Sequence, residues 1–139
     1  SEKFYKTKFD ILIDLDVTSP LRSVSDILYA YKKFKSANCS NLITVCRAKR
    51  NPYFNMVEIR KKKIYMVKKI KQMPSRRQVA PKVYELNASI YIWKRESILN
   101  AKNIITNKTS MYIMPQAKSI DIDSHIDWRI VESLLKKKK

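Results

Sequence analysis

The 139-residue sequence contains no glycine, where ordinary usage of about 7% would supply roughly ten. That absence excludes every glycine-dependent phosphate loop, whether G-x-G-x-x-G or the P-loop. Histidine occurs once, at His125, and cysteine twice, so a Cys/His zinc site is excluded in practice. No run of about 18 apolar residues exists, so nothing in the sequence is built to span a bilayer. The first residues, Ser1–Lys8, are polar and charged and do not read as a signal peptide. Cys39 and Cys46 read as two reduced thiols of a cytoplasmic protein and not as a bridge. Acidic residues are scarce, 12 against 30 basic, giving a formal charge of +18. Lys, Ile, Asn and Tyr are abundant, as an AT-rich coding sequence produces, and charge alone does not specify a partner. What is present suffices for one domain: 45% of the residues are apolar.

Phe9–Leu15 is a short apolar run with β-branched residues and predicts a buried strand. The polar turn Asp16-Val17-Thr18-Ser19-Pro20 follows. Ser23 or Ser25 then caps a helix reaching about Ser36, with Ile27, Leu28, Tyr31 and Phe34 on its apolar face. Asn41–Ala48 predicts a second strand, so strand–helix–strand implies a parallel crossover. Met56–Arg60 and Lys63–Val67 can form an exposed hairpin, followed by a basic connector over Lys68–Lys82. Tyr84–Trp93 and Ser110–Met114 read as strands and Glu96–Lys102 as a short helix. Ser119–Asp123 reads as extended, ahead of a helix from Ser124 to Leu135 that opens close to a capping box, Ser124-x-x-Asp127.

Three features carry candidate chemistry. In an extended segment residues two apart share a side, so Ile120 and Ile122 would face the core while Asp121 and Asp123 face out together. Two such carboxylates suit Mg²⁺ bearing a nucleotide's phosphates; the other reading makes Asp123 a helix cap and Asp121 a solvated charge. Thr18-Ser19-Pro20-Leu21-Arg22 lies beyond the carboxyl end of a strand, where ligands gather in open α/β sheets. It reads equally as a capped helix start. Arg60–Arg77 interleaves nine basic residues with Ile64, Tyr65, Met66 and Val67, which fits a nucleic-acid surface or a solvated hairpin face. His125 has no Ser or Cys partner for a triad and reads as a surface residue.

Four segments, in order and spacing over nearly the whole chain, resemble the CMP-sialic acid synthetase (acylneuraminate cytidylyltransferase) family. Leu15–Arg22 is similar to its L-x-x-T-S-P-L-R, and Arg76-Arg77-Gln78 with Pro81 to R-R-Q-x-x-P. Asn87–Ile92 is similar to N-G/A-x-I-Y-I, and Ser119–Asp123 with Asp127 to S-I-D-I-D-x-x-x-D. The resemblance implies a mixed-sheet, Rossmann-like α/β nucleotidyltransferase. It implies a protruding β-hairpin arm, roughly residues 52–82, that reaches into the partner of a homodimer. The implied reaction joins CTP and an acidic nine-carbon sugar (sialic, legionaminic or pseudaminic acid) into a CMP-sugar, releasing pyrophosphate, with Mg²⁺ as cofactor.

Carried over by position, Asp121 and Asp123 would be the metal carboxylates, and Asp123 and Arg77 the catalytic pair. Thr18, Ser19 and Arg22 would border nucleotide and phosphate. Asp16, Gln78, Asn87, Ser89 and Tyr91 would meet the sugar. The family's Gly-rich CTP loop has no counterpart in this chain, so the chain alone is expected to be inactive. Many relatives have Gln where Asp16 stands and Asp where Val79 stands, and Ile104 and Ile105 occupy positions aromatic in some sialic-acid enzymes. Alanine at position 88 is comfortable only if the backbone there avoids φ > 0. The rival readings are a small basic nucleic-acid-binding module, resting on the charge, and a truncated or redesigned scaffold without activity. No specific nucleic acid and no membrane are expected as partners.

Overall fold

The computed structural model describes residues 1–72, 74–76 and 78–136. In chain order the elements are a helical turn α1 (Glu2–Tyr5), strand β1 (Ile11–Leu15), helix α2 (Val24–Ser36) and strand β2 (Asn41–Arg47). Strands β3 (Val57–Arg60), β4 (Lys63–Met66) and the long β5 (Tyr84–Lys94) follow. Helix α3 (Arg95–Asn100), strand β6 (Thr109–Ile113), a 3-10 turn at Gln116–Lys118 and helix α4 (His125–Lys136) complete the chain. These fall into two compact units, one of Ser1–Cys46 with the chain from Leu86 onward, the other Arg47–Glu85. No helix among the described residues is long and apolar enough to cross a membrane.

The first unit is a mixed α/β layer built on a four-stranded sheet in the order β1-β5-β2-β6. β1 pairs antiparallel with β5, from Ile11 opposite Lys94 to Leu15 opposite Ile90, whereas β2 and β6 are parallel. Lys94 N–H donates to Ser40 C=O (3.1 Å) and Ile90 N–H to Thr44 Oγ1 (2.8 Å). These contacts step in opposite directions along the two segments, so β5 also runs against β2. The expected parallel crossover is therefore wider than strand–helix–strand suggested. β1 and β2 point the same way, but β5, which follows both in the sequence, lies between them.

β2 is buried along Asn41–Cys46 because apolar residues occupy both of its faces. Its two polar side chains are satisfied. Asn41 Nδ2 donates to Ile104 C=O, and Thr44 Oγ1 both accepts from Ile90 N–H and donates to Ile90 C=O. α2 covers the sheet with Ala30 and Phe34, which pack on Leu42, Ile90, Ile92, Met114 and Cys39. Ile27 and Tyr31 flank this cluster, but Leu28 is 60% exposed, so Ala30 takes the core position expected of it. Each large apolar side chain so enclosed contributes about 1.5–3 kcal/mol. Burial pushes the Cys39 thiol above its ordinary range, and Cys46 is buried as well. They are inert core residues.

Two helix starts match their sequence signals. Ser23 is the N-cap of α2, and its N–H donates to the Asp26 carboxylate at 2.8 Å. Ahead of α4, Ser124 Oγ donates to Asp127 Oδ2 (2.6 Å) and accepts from Asp127 N–H (3.4 Å), which holds the Asp127 carboxyl below its usual range. α1 has no counterpart in the sequence reading. A long-range pair fixes it: Arg95 Nε and Nη2 donate to the two oxygens of Glu2 at 2.7 and 2.9 Å.

The second unit contains the expected hairpin, β3 against β4, with Ile59 opposite Ile64 and Val57 opposite Met66. Lys61 (φ 48°) and Lys62 (φ 62°) form its two-residue turn, both left-handed, the conformation that asparagine and glycine adopt most readily. Asn51 closes the unit by donating from Nδ2 to Pro81 C=O (2.9 Å). Among the described residues of the Lys68–Lys82 connector there is no helix or strand.

Candidate functional site

The turn after β1, the middle of β5 and the segment after the 3-10 turn meet at one end of the sheet. Asp16 shapes the first of these. Its Oδ1 accepts from Thr18 N–H (3.0 Å) and from Thr18 Oγ1 (2.8 Å), and these bonds hold its carboxyl below the usual range. Arg22 closes the turn from the other side: its Nη1 donates to the carbonyls of Asp16, Ser19 (2.7 Å) and Ser89 (3.5 Å). One guanidinium nitrogen thus pins the β1 turn to β5. The expectation that Arg22 serves phosphate has to accommodate this backbone commitment.

On β5, Ala88 adopts φ 51°, so the condition under which alanine would sit comfortably at this position is not met. The left-handed residue breaks the strand's alternation. Asn87, Ser89 and Ile90 are all buried as a result, at 4, 0 and 0% exposure. Asn87 is used internally: Nδ2 donates to Ser119 Oγ (2.8 Å) and to Met114 Sδ (3.4 Å), and Oδ1 accepts from Ser89 N–H (3.3 Å). Tyr91, opposite Asp14 in the register, is half-buried. Its phenol is pushed up first by burial and then by the carboxylates of Asp16, Asp14 and Asp121. It therefore stays a neutral O–H donor at physiological pH.

The third component differs from expectation. Ser119–Asp123 joins no strand, so alternation does not govern it. Ile120, Asp121 and Ile122 are all half-buried and only Asp123 is exposed. Asp121 is instead enclosed enough that its Oδ1 is buried with no hydrogen-bond partner among the described residues. The Oγ atoms of Ser19 and Ser89 are in the same state, both residues being fully buried. A buried carboxylate oxygen without a partner costs free energy and suits a cation or a hydrogen-bond donor. Asp123 faces a separate open cavity of about 440 Å³ with Ile122, Ser124, His125 and Trp128. No group of three or more His, Cys, Asp or Glu able to hold a metal exists among the described residues.

Seven of the expected residues, Asp16, Thr18, Ser19, Arg22, Asn87, Ser89 and Tyr91, therefore lie in the turn and strand of the first unit, with Asp121 beside Tyr91. Gln78 is exposed in the second unit, and Arg77 falls outside the described residues. Sequence reasoning missed Asp14, Asp26 and Lys118. Asp26 was findable as the fourth residue of Ser23-x-x-Asp26, a capping-box pattern. Lys118 carried no local signal.

No family model matches the chain. It is 44% identical over 138 residues to the post-translational flagellin modification protein B of Campylobacter coli, covering 99% of this chain and 58% of that protein. It is 46% identical over 135 residues to the CMP-N,N'-diacetyllegionaminic acid synthase of Campylobacter jejuni, covering 97% of this chain and 57% of the relative. It is 30% identical over 115 residues to an N-acylneuraminate cytidylyltransferase of Streptococcus agalactiae, covering 82% and 27% respectively. The chain thus spans a little over half the length of the two Campylobacter relatives. With these identities added to the four motifs, three of them in the mixed α/β first unit, the chain belongs to the CMP-sialic acid synthetase (acylneuraminate cytidylyltransferase) family.

Proposed function

We propose that this chain forms the acidic-sugar and metal side of a cytidylyltransferase active site that couples CTP to a legionaminic-type nine-carbon acidic sugar. The anomeric hydroxyl of the sugar attacks the α-phosphorus of CTP. A new O–P bond forms, the bond to the β-phosphate's bridging oxygen breaks, pyrophosphate leaves and the hydroxyl proton is released. Asp121, with Asp123 as its exposed neighbour in the chain, would hold Mg²⁺, which would supply charge neutralisation for the phosphates. Tyr91 offers a neutral phenolic donor to the substrate. Asp16, with Oδ1 committed to Thr18, accepts from sugar donors through Oδ2. The buried hydroxyls of Ser19 and Ser89 are donors in need of acceptors. Arg22 and Asn87 keep these groups in register through the backbone and through Ser119. Arg77 and Gln78 would come from the hairpin unit, which we read as a dimerisation arm of a cytoplasmic homodimer.

The observation that carries this reading is the Asp121 carboxylate oxygen, buried and without a partner beside Tyr91. Its test is a graft in which this chain replaces the matching span of the C. jejuni relative. In that protein Asp121→Asn should lower kcat/KM by roughly 10²-fold and raise the Mg²⁺ needed for half-maximal rate, the scale of losing one strong electrostatic contact. A near-wild-type rate at limiting Mg²⁺ would remove the metal role from Asp121.

A further inference from the structure

Asp121 Oδ1 has no hydrogen-bond partner among the described residues, yet the segment carrying it is tied down on both sides. After it, Ile122 N–H donates to Thr18 C=O at 2.9 Å. Before it, Ser119 Oγ accepts from Asn87 Nδ2 and donates to Pro115 C=O (2.9 Å). One residue earlier stands a charged tether. Lys118 Nζ lies 2.7 Å from Asp26 Oδ2 and donates to Ser23 Oγ at 3.0 Å. Asp26 is 4% exposed, in the first turn of α2, and the two residues are separated by 92 positions in the chain. Burial alone would raise the Asp26 carboxyl. Lys118 and the Ser23 hydroxyl and N–H overcome that and hold it low, so the pair is ionised.

We infer that the Lys118–Asp26 pair is a positioning device that sets where Asp121 stands, by fastening the 3-10 turn to the capped start of α2. Helix N-caps are rigid, and Asp26 is held there by three separate donors: Ser23 N–H, Ser23 Oγ and Lys118 Nζ. Lys118 is three residues from Asp121, too short a length of chain to absorb a displacement of the tether. The irregular segment between them has no ladder of its own to hold it. Without this tether, only the neutral hydrogen bonds of Ser119 and Ile122 would remain, and such isolated bonds open locally far more readily than the sheet. The functional consequence rests on the metal reading of Asp121 given above; the positioning itself does not.

The test is amide hydrogen exchange on the protein with three substitutions. Lys118→Met breaks the pair, Lys118→Arg restores a cation, and the double variant Asp26→Asn with Lys118→Met removes both charges so that no buried charge is left alone. Loss of the tether should speed exchange at Ile122 by about tenfold or more while Ile90 and Ile92 keep their protection, with Lys118→Arg close to wild type. A merely structural pair would speed all three amides together. The second readout is Mn²⁺ alone, titrated by electron paramagnetic resonance. Its affinity should weaken in the double variant in the same direction as in Asp121→Asn. Unchanged exchange at Ile122 in the double variant, or exchange rising in step with Ile92, would overturn the inference. Selective exchange at Ile122 with Mn²⁺ affinity indifferent to Asp121→Asn would uphold the tether and overturn the metal reading instead.

Discussion

At the scale of single residues, a chain without glycine has to place side-chain-bearing residues in left-handed backbone. Lys6, Lys61, Lys62 and Ala88 do so. For L-residues this conformation costs roughly 1–2 kcal/mol, and Ala88 has no polar side chain to offset it locally. It sits between the buried Asn87 and Ser89, where the backbone bend turns the strand toward the site. Ala88→Gly should therefore stabilise the protein by about 1 kcal/mol with an unchanged fold, measured as a rise in the chemical denaturation midpoint. A loss of stability would mean that the alanine methyl is packed well enough to outweigh the strain. The same position shows where sequence reading ran out. The motif Asn87–Ile92 was legible and marked position 88 as the place where a positive φ would matter, but with alanine there the sequence did not show that the backbone adopts it.

At the scale of elements, both hydroxyl-capped helix starts and the positions of the sheet strands were legible, since each rests on local periodicity and on Ser-x-x-Asp spacing; the burial expected of β1 was not met, because it is an edge strand with Leu12 and Ile13 exposed. α1 and the insertion of β5 between β1 and β2 were not, because both depend on contacts between residues far apart in the chain. The Ser119–Asp123 segment misled for a related reason. Its Ile-Asp alternation imitates a strand, but hydrogen bonds from Asn87 and to Thr18 decide its course. The Glu2–Arg95 contact that holds α1 gives a pH prediction. Arg95 pulls the Glu2 carboxyl down from 4.5 to about 2. A depressed carboxylate contributes stability that is present above 4.5 and is lost as the pH falls through about 2. The Tm difference between wild type and Glu2→Gln should be constant near neutrality and should vanish across that window. A difference that persists at pH 2 would show that the Glu2 charge does not hold α1.

At the scale of the whole molecule, the exposed apolar surface is the main feature still without a partner among the described residues. On the hairpin, Val57, Ile59 and Ile64 are 61, 76 and 71% exposed and share one face, while Glu58, Arg60 and Lys63 take the other. An isolated two-stranded hairpin is marginal in water, and an apolar face of this kind suits burial against a second copy. Ile59→Lys with Ile64→Lys should convert a dimer to a monomer in sedimentation while leaving the far-ultraviolet spectrum unchanged; a dimer that survives both changes would place the interface elsewhere. The charge of +18 belongs to this scale too. It was fully legible yet named no partner, whereas the four motifs, a small share of the residues, named the family.

The measurement that bears most directly on the proposed activity is formation of CMP-sugar by the graft of this chain into the C. jejuni relative. CTP, N,N'-diacetyllegionaminic acid and Mg²⁺ would be supplied and the product followed by phosphorus magnetic resonance. The proposal predicts a new phosphodiester signal with stoichiometric pyrophosphate, abolished or slowed by roughly 10²-fold in Asp121→Asn. A folded graft that leaves CTP intact over hours, or that turns it over equally well with Asn at position 121, would contradict it.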